Sequence, residues 1–245
     1  MNIIKEIASF GLRKLGYKIQ KIERHLDDDL FTMEAALQRC VGRGLTVNSV
    51  IDVGASDGRW SRMCMKYLST AHYLLIEAQR EHKNKLDEFH TENNNVEFII
   101  AAAGRKEGKI FFDNSDLFGG LASESPFEKN NIEVEAITID EEIKRRKLNP
   151  PFLIKLDTHG FETSIIDGAL ETIKQAELII IETYNYQLTN DSLKYFQMCE
   201  HMEKLGFSSI EIVDLSLRNH DNSFWQMDTF FIPSNRKEFS YNSYK

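Results

Sequence analysis

The chain has 245 residues, of which 42% are hydrophobic and 28% are charged, as is ordinary for a globular protein with one main domain. Its 38 acidic and 30 basic residues give a formal net charge of -8, which argues against a nucleic-acid groove because phosphates require a basic surface. Three widely spaced cysteines without a CxxC pair favour a reducing compartment. No apolar run approaches the ~18 residues of a membrane span, and no secretory signal is recognisable. The composition therefore predicts a cytoplasmic protein.

Residues 1–25 have apolar side chains at helical spacing among six Lys or Arg and two Glu. We expect a basic helix that caps the domain or packs against a second subunit of a homo-oligomer. The alternative is peripheral contact with an anionic membrane surface, where the substrate is lipid-linked. A second helix is predicted over 29–43. The sequence thus predicts a helical extension over 1–47, a main domain over 48–235 and a tail over 236–245.

The main domain alternates short Val/Ile/Leu runs with polar segments that are predicted to be helices near 59–69, 79–90 and 161–174. Apolar runs divided by helices predict a parallel sheet that is covered on both faces. Later, FSSIEIVDL (207–215) is followed by SFWQMDTFFI (223–232) without a helix between them, which predicts an antiparallel pair at the end of the sheet. The five earlier runs are SVIDV (49–53), YLLIE (73–77), VEFIIAA (96–102), PFLIKLD (151–157) and AELIIIE (176–182).

An insertion separates the third and fourth of these runs. It contains GKIFFD (108–113) and IEVEAITID (132–140), which predict a strand pair, and between them the loop DLFGGLASES (116–125). Small residues, glycines and one aromatic residue suit a mobile lid over a substrate.

A glycine-bearing turn follows the first predicted strand, in VIDVGASDGRWS (50–61). Gly54 permits a tight turn close to a ligand, and Gly58 permits close packing of helix and strand. Asp52 and Asp57 frame the turn. Like charges about 4 Å apart cost on the order of 4 kcal/mol at an effective dielectric of 20, so a phosphate ligand is disfavoured. A cationic nucleoside without phosphate, S-adenosylmethionine (SAM), fits this turn better.

Glu77 ends the second predicted strand, 25 residues after Asp52, where a carboxylate is able to accept hydrogen bonds from both ribose hydroxyls. The segment AAAG (101–104) offers small side chains and backbone amides to the edge of an adenine. The predicted cofactor-binding residues are Asp52, Gly54, Ala55, Ser56, Asp57, Gly58, Glu77, Ala78, Ala102 and Asp157.

Charged side chains crowd the end of the fourth strand, in FLIKLDTHGFE (152–162). Lys155 and Asp157 share a face because side chains alternate along a strand, and His159 stays near them if the chain remains extended. A neutral imidazole is a suitable base for a hydroxyl group. His159 and Asp157 are therefore the predicted catalytic residues, with Asp157 either orienting His159 or binding the amino group of the cofactor. The alternative is a histidine that only bonds a loop carbonyl.

Two further roles involve the same strand end. Lys155 is predicted to pair with Glu182, at the end of the fifth strand. No metal is predicted. A divalent cation held by Asp157, His159 and either Glu182 or Asp228 is the less favoured alternative, since acids gather at the strand ends of any such sheet.

Taken together, the motifs resemble those of the FkbM-type SAM-dependent methyltransferases. The resemblance runs from about Asn48 to Ile232 and includes, in the order and spacing of the family, VIDVGASDG, LIEA, AAAG, DLFGG, FLIKLDTHGFE, IIIETY and FWQMDTFF. It implies an α/β, Rossmann-like class I methyltransferase fold, with a mostly parallel seven-stranded sheet and an antiparallel C-terminal strand. It also implies O-methylation, often of sugars or natural-product hydroxyls. This chain has His159 where many members have Glu or Gln.

The sequence thus predicts a SAM-dependent O-methyltransferase that acts on a hydroxyl of a sugar, glycoconjugate or related natural product. The expected partner is a small-molecule or glycan acceptor. An NAD-dependent sugar oxidoreductase would share the sheet, but it would normally have a third glycine in the turn and no acid at Asp57. A non-catalytic Rossmann-like scaffold would have no reason to place acids at three successive strand ends.

Overall fold

The computed structural model describes residues 30–244, so the basic helix predicted over 1–25 lies outside the described residues. The strands are β1 Ser49–Val53, β2 His72–Glu77, β3 Val96–Ile100, β4 Ala102–Ala103, β5 Gly108–Asp113, β6 Leu121–Ser123, β7 Ile132–Ile137, β8 Phe152–Leu156, β9 Ala176–Tyr184, β10 Phe207–Leu217 and β11 Phe224–Pro233. The α-helices are α1 Met33–Gly42, α2 Arg59–Cys64, α3 Lys83–Glu92, α4 Ile139–Arg146, α5 Glu162–Asp167, α6 Leu170–Ile173 and α7 Tyr195–Lys204. No helix in this part of the chain is long and apolar enough to cross a membrane.

Within the described residues, seven strands form the main sheet in the order β10-β11-β9-β8-β1-β2-β3. The pairs from β9 to β3 are parallel, whereas β11 runs antiparallel to both β9 and β10. The predicted mostly parallel sheet with an antiparallel C-terminal strand is confirmed. Every residue of β1 and β8 is buried, because apolar cores lie on both faces of the sheet. Ile154 belongs to one core and its neighbour Leu153 to the other.

The insertion between β3 and β8 contains the predicted strand pair as β5 and β7, and β4 and β6 extend this pair to a second sheet. In the described chain its order is β4-β7-β5-β6, with β5 antiparallel to both neighbours. The strand predicted over 96–102 divides at Ala101, because β4 leaves the main sheet and pairs with β7. Two residues are too few to carry a periodic pattern, so the sequence could not separate β4 from β3. The loop after β5 reaches the end of β2, where the side chain of Gln79 donates to the carbonyl of Asp116 at 2.9 Å.

Two of the predicted helices are shorter in the structure. The helix predicted over 59–69 is helical only in α2 and then continues as turns. The helix predicted over 161–174 divides at Gly168 into α5 and α6. A Cβ at Gly168 would lie 2.0 Å from the carbonyl oxygen of Gly104, so this position requires a close approach of two backbones. Hydrophobic periodicity does not record such a contact.

The turn after β1 touches the end of β8 at Gly54. A Cβ there would lie 1.9 Å from the carbonyl oxygen of Asp157, and the backbone has a φ of +76°. The amide of Asp157 in turn donates to the carbonyl of Val53 at 3.0 Å. From the sequence, Gly54 is expected to permit a tight turn close to a ligand. In the structure, the neighbouring strand end occupies the space that a side chain would need.

Replacing Gly54 with Ala should lower the free energy of unfolding by at least about 3 kcal/mol, because the strain of a left-handed backbone, about 1–2 kcal/mol, adds to the overlap with Asp157. Gly206 is the matched control: it has a φ of +89° and nothing within 4 Å of its Cβ position. Gly206→Ala should therefore cost only the backbone strain. Denaturant unfolding of both variants measures the difference, and equal losses would contradict the proposed role of the contact.

Candidate functional site

A cavity of about 510 Å³ lies at the carboxyl ends of β1, β2 and β8. Its walls come from the glycine turn, the residues after β2, the second sheet and the end of β8, and they include Asp214 of β10 and Asp228 of β11. Open sheets of this kind place ligand sites at the carboxyl ends of their strands, where the strand order reverses. Here that reversal lies between β1 and β8, and the glycine turn and Asp157 line the cavity beside it.

Glu77 ties the glycine turn to the end of β2. Its Oε2 accepts from the amide of Ser56 and its Oε1 accepts from the amide of Gln79, both at 2.7 Å. Burial raises the pKa of Glu77, and the backbone donors oppose this effect. Because a carboxylate oxygen accepts more than one hydrogen bond, Glu77 keeps acceptor capacity on the side that faces the cavity.

Asp52 and Asp57, the acids that frame the glycine turn, do not line the cavity. Asp52 is fully buried; its Oδ2 accepts from the hydroxyl of Ser61 at 2.7 Å, and burial raises its pKa to about 6. Asp57 forms a 2.8 Å ion pair with Arg59, whose hydrogen bonds hold the pKa of Asp57 below its usual value. Arg59 thereby neutralises one of the charges on which the sequence argument against a phosphate relied.

The glycine-bearing loop of the second sheet lines the Glu77 end of the cavity. Its Leu117 carbonyl lies 2.9 Å from Nε2 of His82. The Phe118 ring centroid lies 5.4 Å from the His82 ring and 4.9 Å from the guanidinium carbon of Arg59. The loop therefore contacts residues from both the β1 and the β2 side of the cavity. Its position agrees with the predicted lid, and its mobility stays a prediction.

Lys155 and Asp157 form a partly buried ion pair near the other end. Lys155 is 4% exposed, and its Nζ donates to Oδ2 of Asp157 at 2.6 Å. Burial opposes the charge on Lys155, but Asp157 and Asp52 together outweigh it and raise the pKa of the amine. Burial also opposes the ionisation of Asp157, but Lys155 holds its pKa below the usual value. This pair replaces the predicted pair of Lys155 with Glu182.

Glu182 is a buried acid beside Asp157. Its carboxyl group accepts from the hydroxyl of Tyr184 and from the side-chain amide of Gln226. Burial, followed by the charge of Asp157, raises the pKa of Glu182 to about 9. Asp228 lies opposite Glu182 in the pairing of β9 with β11, and burial raises its pKa to about 7.

His159 follows β8 with a left-handed backbone, at a φ of +56°, where the sequence analysis expected an extended chain. The turn still brings Nε2 to 3.9 Å from Oδ1 of Asp157 and 3.7 Å from Oε2 of Glu182. Both distances are too long for hydrogen bonds, so neither carboxyl group engages Nε2. Asp157, His159 and Glu182 each offer one ligand atom within 4.8 Å of the others, a mixed nitrogen and oxygen set that suits a divalent cation.

The predicted site residues divide into those that face the cavity and those that support it. Asp52, Asp57 and Gly58 do not line the cavity; a Cβ at Gly58 would lie 2.8 Å from the ring of Phe89, which explains the glycine by packing. The predicted residues that line the cavity are Gly54, Ala55, Ser56, Glu77, Ala78, Ala102, Asp157 and His159.

Sequence reasoning missed many residues of the cavity wall, among them Trp60, Gln79, His82 and Asp214. Trp60, Gln79 and His82 follow the glycine turn or β2 within a few residues, and that position was an available signal for them. Asp214 could not be found in this way. It has a φ of +50° at an irregularity of β10, so the alternation of side chains along a strand does not predict its direction.

The sequence profile of the methyltransferase FkbM domain matches residues 52–209, which is more than half of the chain. The chain belongs to the FkbM methyltransferase family. The matched FkbM region contains Glu77 and Asp157, whereas Asp214 and Asp228 lie beyond it on the last two strands.

Several solved structures are similar to this chain. Methyltransferase FkbM from Methylobacillus flagellatus KT is 17% identical with a TM-score of 0.50; the match covers 74% of this chain and 43% of that protein, so the chain spans less than half of its length. The magnesium protoporphyrin IX methyltransferase from Synechocystis PCC 6803, crystallised with bound SAM, is 12% identical with a TM-score of 0.44, over 95% and 96% of the two chains. Precorrin-6y C5,15-methyltransferase from Geobacter metallireducens GS-15 is 11% identical with a TM-score of 0.45, over 87% and 93%. No curated protein sequence matches the chain.

The acid at Glu182 should make the stability of the FkbM domain depend on pH. Its pKa is raised from 4.5 to about 9, so between these values the folded state holds a proton that the unfolded state has released. Stability is therefore lost as the pH rises through this window, by up to about 1.4 kcal/mol per pH unit. Glu182→Gln should flatten this decline in denaturant unfolding between pH 5 and pH 9.

Glu128→Gln is the control for this prediction. Glu128 is exposed in the loop between β6 and β7 and does not line the cavity. It should leave the pH profile of the wild-type protein unchanged. An equally steep decline in Glu182→Gln would show that Glu182 does not hold the proton.

Proposed function

We propose that this methyltransferase transfers the methyl group of SAM to a hydroxyl of a sugar, a glycoconjugate or a related natural product. The observation that carries the proposal is a cavity with Glu77 near one end and Asp157 with His159 near the other. A carboxylate suited to ribose hydroxyls and an imidazole suited to an acceptor hydroxyl thus face the same space. Family membership supports methyl transfer. The carboxylate of Glu77 and the imidazole of His159 support the choice of cofactor and acceptor.

The charges of the cavity favour SAM over a pyrophosphate cofactor. Of the described side chains that line it, Arg59 and Lys155 are basic, and both are already paired with aspartates at 2.8 Å and 2.6 Å. A pyrophosphate would therefore meet no unpaired Lys or Arg among these residues. The acids that line the cavity are Glu77, Asp157, Asp214 and Asp228. They suit the sulfonium and amino group of SAM, which supplies an electrophilic methyl group when bound.

His159 is the proposed base. A neutral imidazole accepts the proton of the acceptor hydroxyl at Nε2 as the oxygen is methylated. The imidazolium that results lies 3.9 Å from the ionised Asp157, which stabilises its charge. Lys155 donates to the other oxygen of Asp157 and holds this carboxylate in place. Asp157 therefore acts on the base through its charge and not through a hydrogen bond.

The acceptor end of the cavity suits a neutral molecule with several hydroxyl groups. The carboxyl oxygens of Asp214 and Asp228 are able to accept hydrogen bonds from hydroxyls, and the indole of Trp60 offers an apolar face to a sugar ring. The same acids disfavour phosphorylated acceptors and nucleic acid. Lipid linkage of the acceptor, a homo-oligomer and a cytoplasmic location stay predictions, and the segment 1–25 on which the membrane contact depends lies outside the described residues.

Glu77→Ala should weaken the binding of S-adenosylhomocysteine by about 1.5–3 kcal/mol, because it removes hydrogen bonds to a charged group. Glu77→Gln keeps one acceptor oxygen and should lose less. Isothermal titration calorimetry measures both variants, with circular dichroism to confirm that they fold. Unchanged affinity in Glu77→Ala would remove this carboxylate from the cofactor site.

His159→Gln should lower turnover by about 10²- to 10⁴-fold, the contribution of a general base, while the affinity for S-adenosylhomocysteine stays within about twofold. The assay measures transfer of a labelled methyl group to a panel of neutral, amino and phosphorylated sugars. Near-normal turnover in the variant on an accepted sugar would contradict the role of His159 as base.

A second measurement separates a base from a metal ligand, since Asp157, His159 and Glu182 form a set that suits a cation. If His159 is the base, wild-type turnover is unchanged by EDTA and by added Mn²⁺, and calorimetry with Mn²⁺ shows no binding that His159→Gln removes. Loss of turnover on chelation, restored by Mn²⁺, would instead identify His159 as a ligand.

A further inference from the structure

The turn that carries His159 has an unusual backbone. His159 and Gly160 have φ values of +56° and +104°, in the left-handed region that a histidine seldom adopts. A non-glycine residue stays in this region only when its surroundings hold it there. The imidazole does not supply this hold, because its Nε2 lies too far from Asp157 and Glu182 for hydrogen bonds. The contacts of the turn itself therefore decide where the imidazole lies.

A buried carboxylate, that of Glu162, ties the turn together. Its Oε1 accepts three hydrogen bonds: from the amide of Thr158 at 3.3 Å, from the hydroxyl of Thr158 at 3.0 Å and from the amide of Gly160 at 3.0 Å. One oxygen thus binds the residues on both sides of His159. Glu162 is 4% exposed, so water competes little for these hydrogen bonds.

The loop after β9 also contacts this turn. The hydroxyl of Thr189 donates to the carbonyl of Gly160 at 3.2 Å. A Cβ at Gly160 would lie 3.1 Å from Cβ of Ser192, so the loop leaves little space for a side chain or for a shift of the turn. Glu162 ties the same turn to the start of α5. The turn is therefore held between two elements of the fold.

We propose that Glu162 is a positioning residue for methyl transfer, which holds the imidazole of His159 at the cavity by tying together its two neighbours in the chain. This inference rests on the proposed function, because His159 is the proposed base. A general base must lie within hydrogen-bond reach of the proton that it accepts. Thr158 and His159 line the cavity but Glu162 does not, so Glu162 acts through His159 rather than on a ligand.

An acid in the first turn of a helix also has a purely structural explanation, since it interacts favourably with the helix dipole. Glu171 provides the matched control for this explanation. It lies in the first turn of α6, is exposed, and pairs with Lys174 rather than with a turn at the cavity. Glu171→Ala should leave turnover unchanged.

The test is a double-mutant cycle that measures transfer of a labelled methyl group to an accepted sugar. In the otherwise wild-type chain, Glu162→Ala should lower kcat on the order of 10- to 100-fold, as expected for a misplaced catalytic group, and leave the affinity for S-adenosylhomocysteine within about twofold. In the His159→Gln background it should cause no further loss, because no base remains to be positioned. Glu162→Gln keeps an acceptor oxygen at the same length and should restore most of the turnover.

Nuclear magnetic resonance gives a second readout that needs no acceptor. His159 is one of seven histidines, and its ring signal is identified by its absence from His159→Gln. This signal should shift or broaden in Glu162→Ala and stay unchanged in Glu171→Ala. Glu162→Asp keeps the charge but is one methylene shorter, and it replaces Glu162→Ala in every comparison if that variant does not fold. An unmoved His159 signal would show that Glu162 does not position the ring.

The inference and the proposed function fail in different ways. Equal losses of turnover from Glu162→Ala with and without His159 would show that Glu162 only supports the fold, and the inference would be wrong while His159 remains the base. Full turnover in His159→Gln would remove the base itself, and the inference would fail with it.

Discussion

The ion pair between Lys155 and Asp157 is the interaction on which the rest of the site depends. Lys155 lies in a central strand with Asp52 beside it in the register of β1, and the carboxylates of Asp157 and Asp228 also raise its pKa. Without this amine, the buried Asp52 would lose its nearest compensating charge and Asp157 would lose its ion pair. The indole of Trp60 lies 5.5 Å from the same amine. One cation thus makes an acidic cavity compatible with a folded sheet.

This arrangement moves the pKa values of two neighbouring acids in opposite directions. Contact with Lys155 lowers the pKa of Asp157, whereas burial and the charge of Asp157 raise the pKa of Glu182, one strand further out. Nε2 of His159 lies within 4 Å of both carboxyl groups. The chemistry of the strand end follows from this difference in pKa rather than from the number of acids that gather there.

The sequence predicted the main sheet and the position of the cavity because both depend on local patterns. Apolar runs between helices mark parallel strands, and the residues directly after them, such as Gly54, Glu77 and Asp157, must meet at one edge of the sheet. What the sequence could not supply were contacts between distant backbones. Gly54 faces the carbonyl of Asp157, and Gly168 that of Gly104, and no periodic pattern encodes either approach. Asp57 and Arg59 are close in sequence, but the sequence does not show that they form an ion pair. The side-chain conformation of Arg59 brings its guanidinium to Asp57 and neutralises the charge beside the turn.

Opposite parts of the cavity wall come from different parts of the chain. The glycine turn and the residues after β2 lie inside the matched FkbM region, whereas Asp214 and Asp228 come from the two strands at the opposite edge of the sheet, after the match has ended. Insertions or substitutions in β10 and β11 would alter the acceptor end without disturbing Glu77 or Gln79. The shape of the cavity at Asp214 and Asp228 thus depends on strands other than those that carry the glycine turn and Glu77.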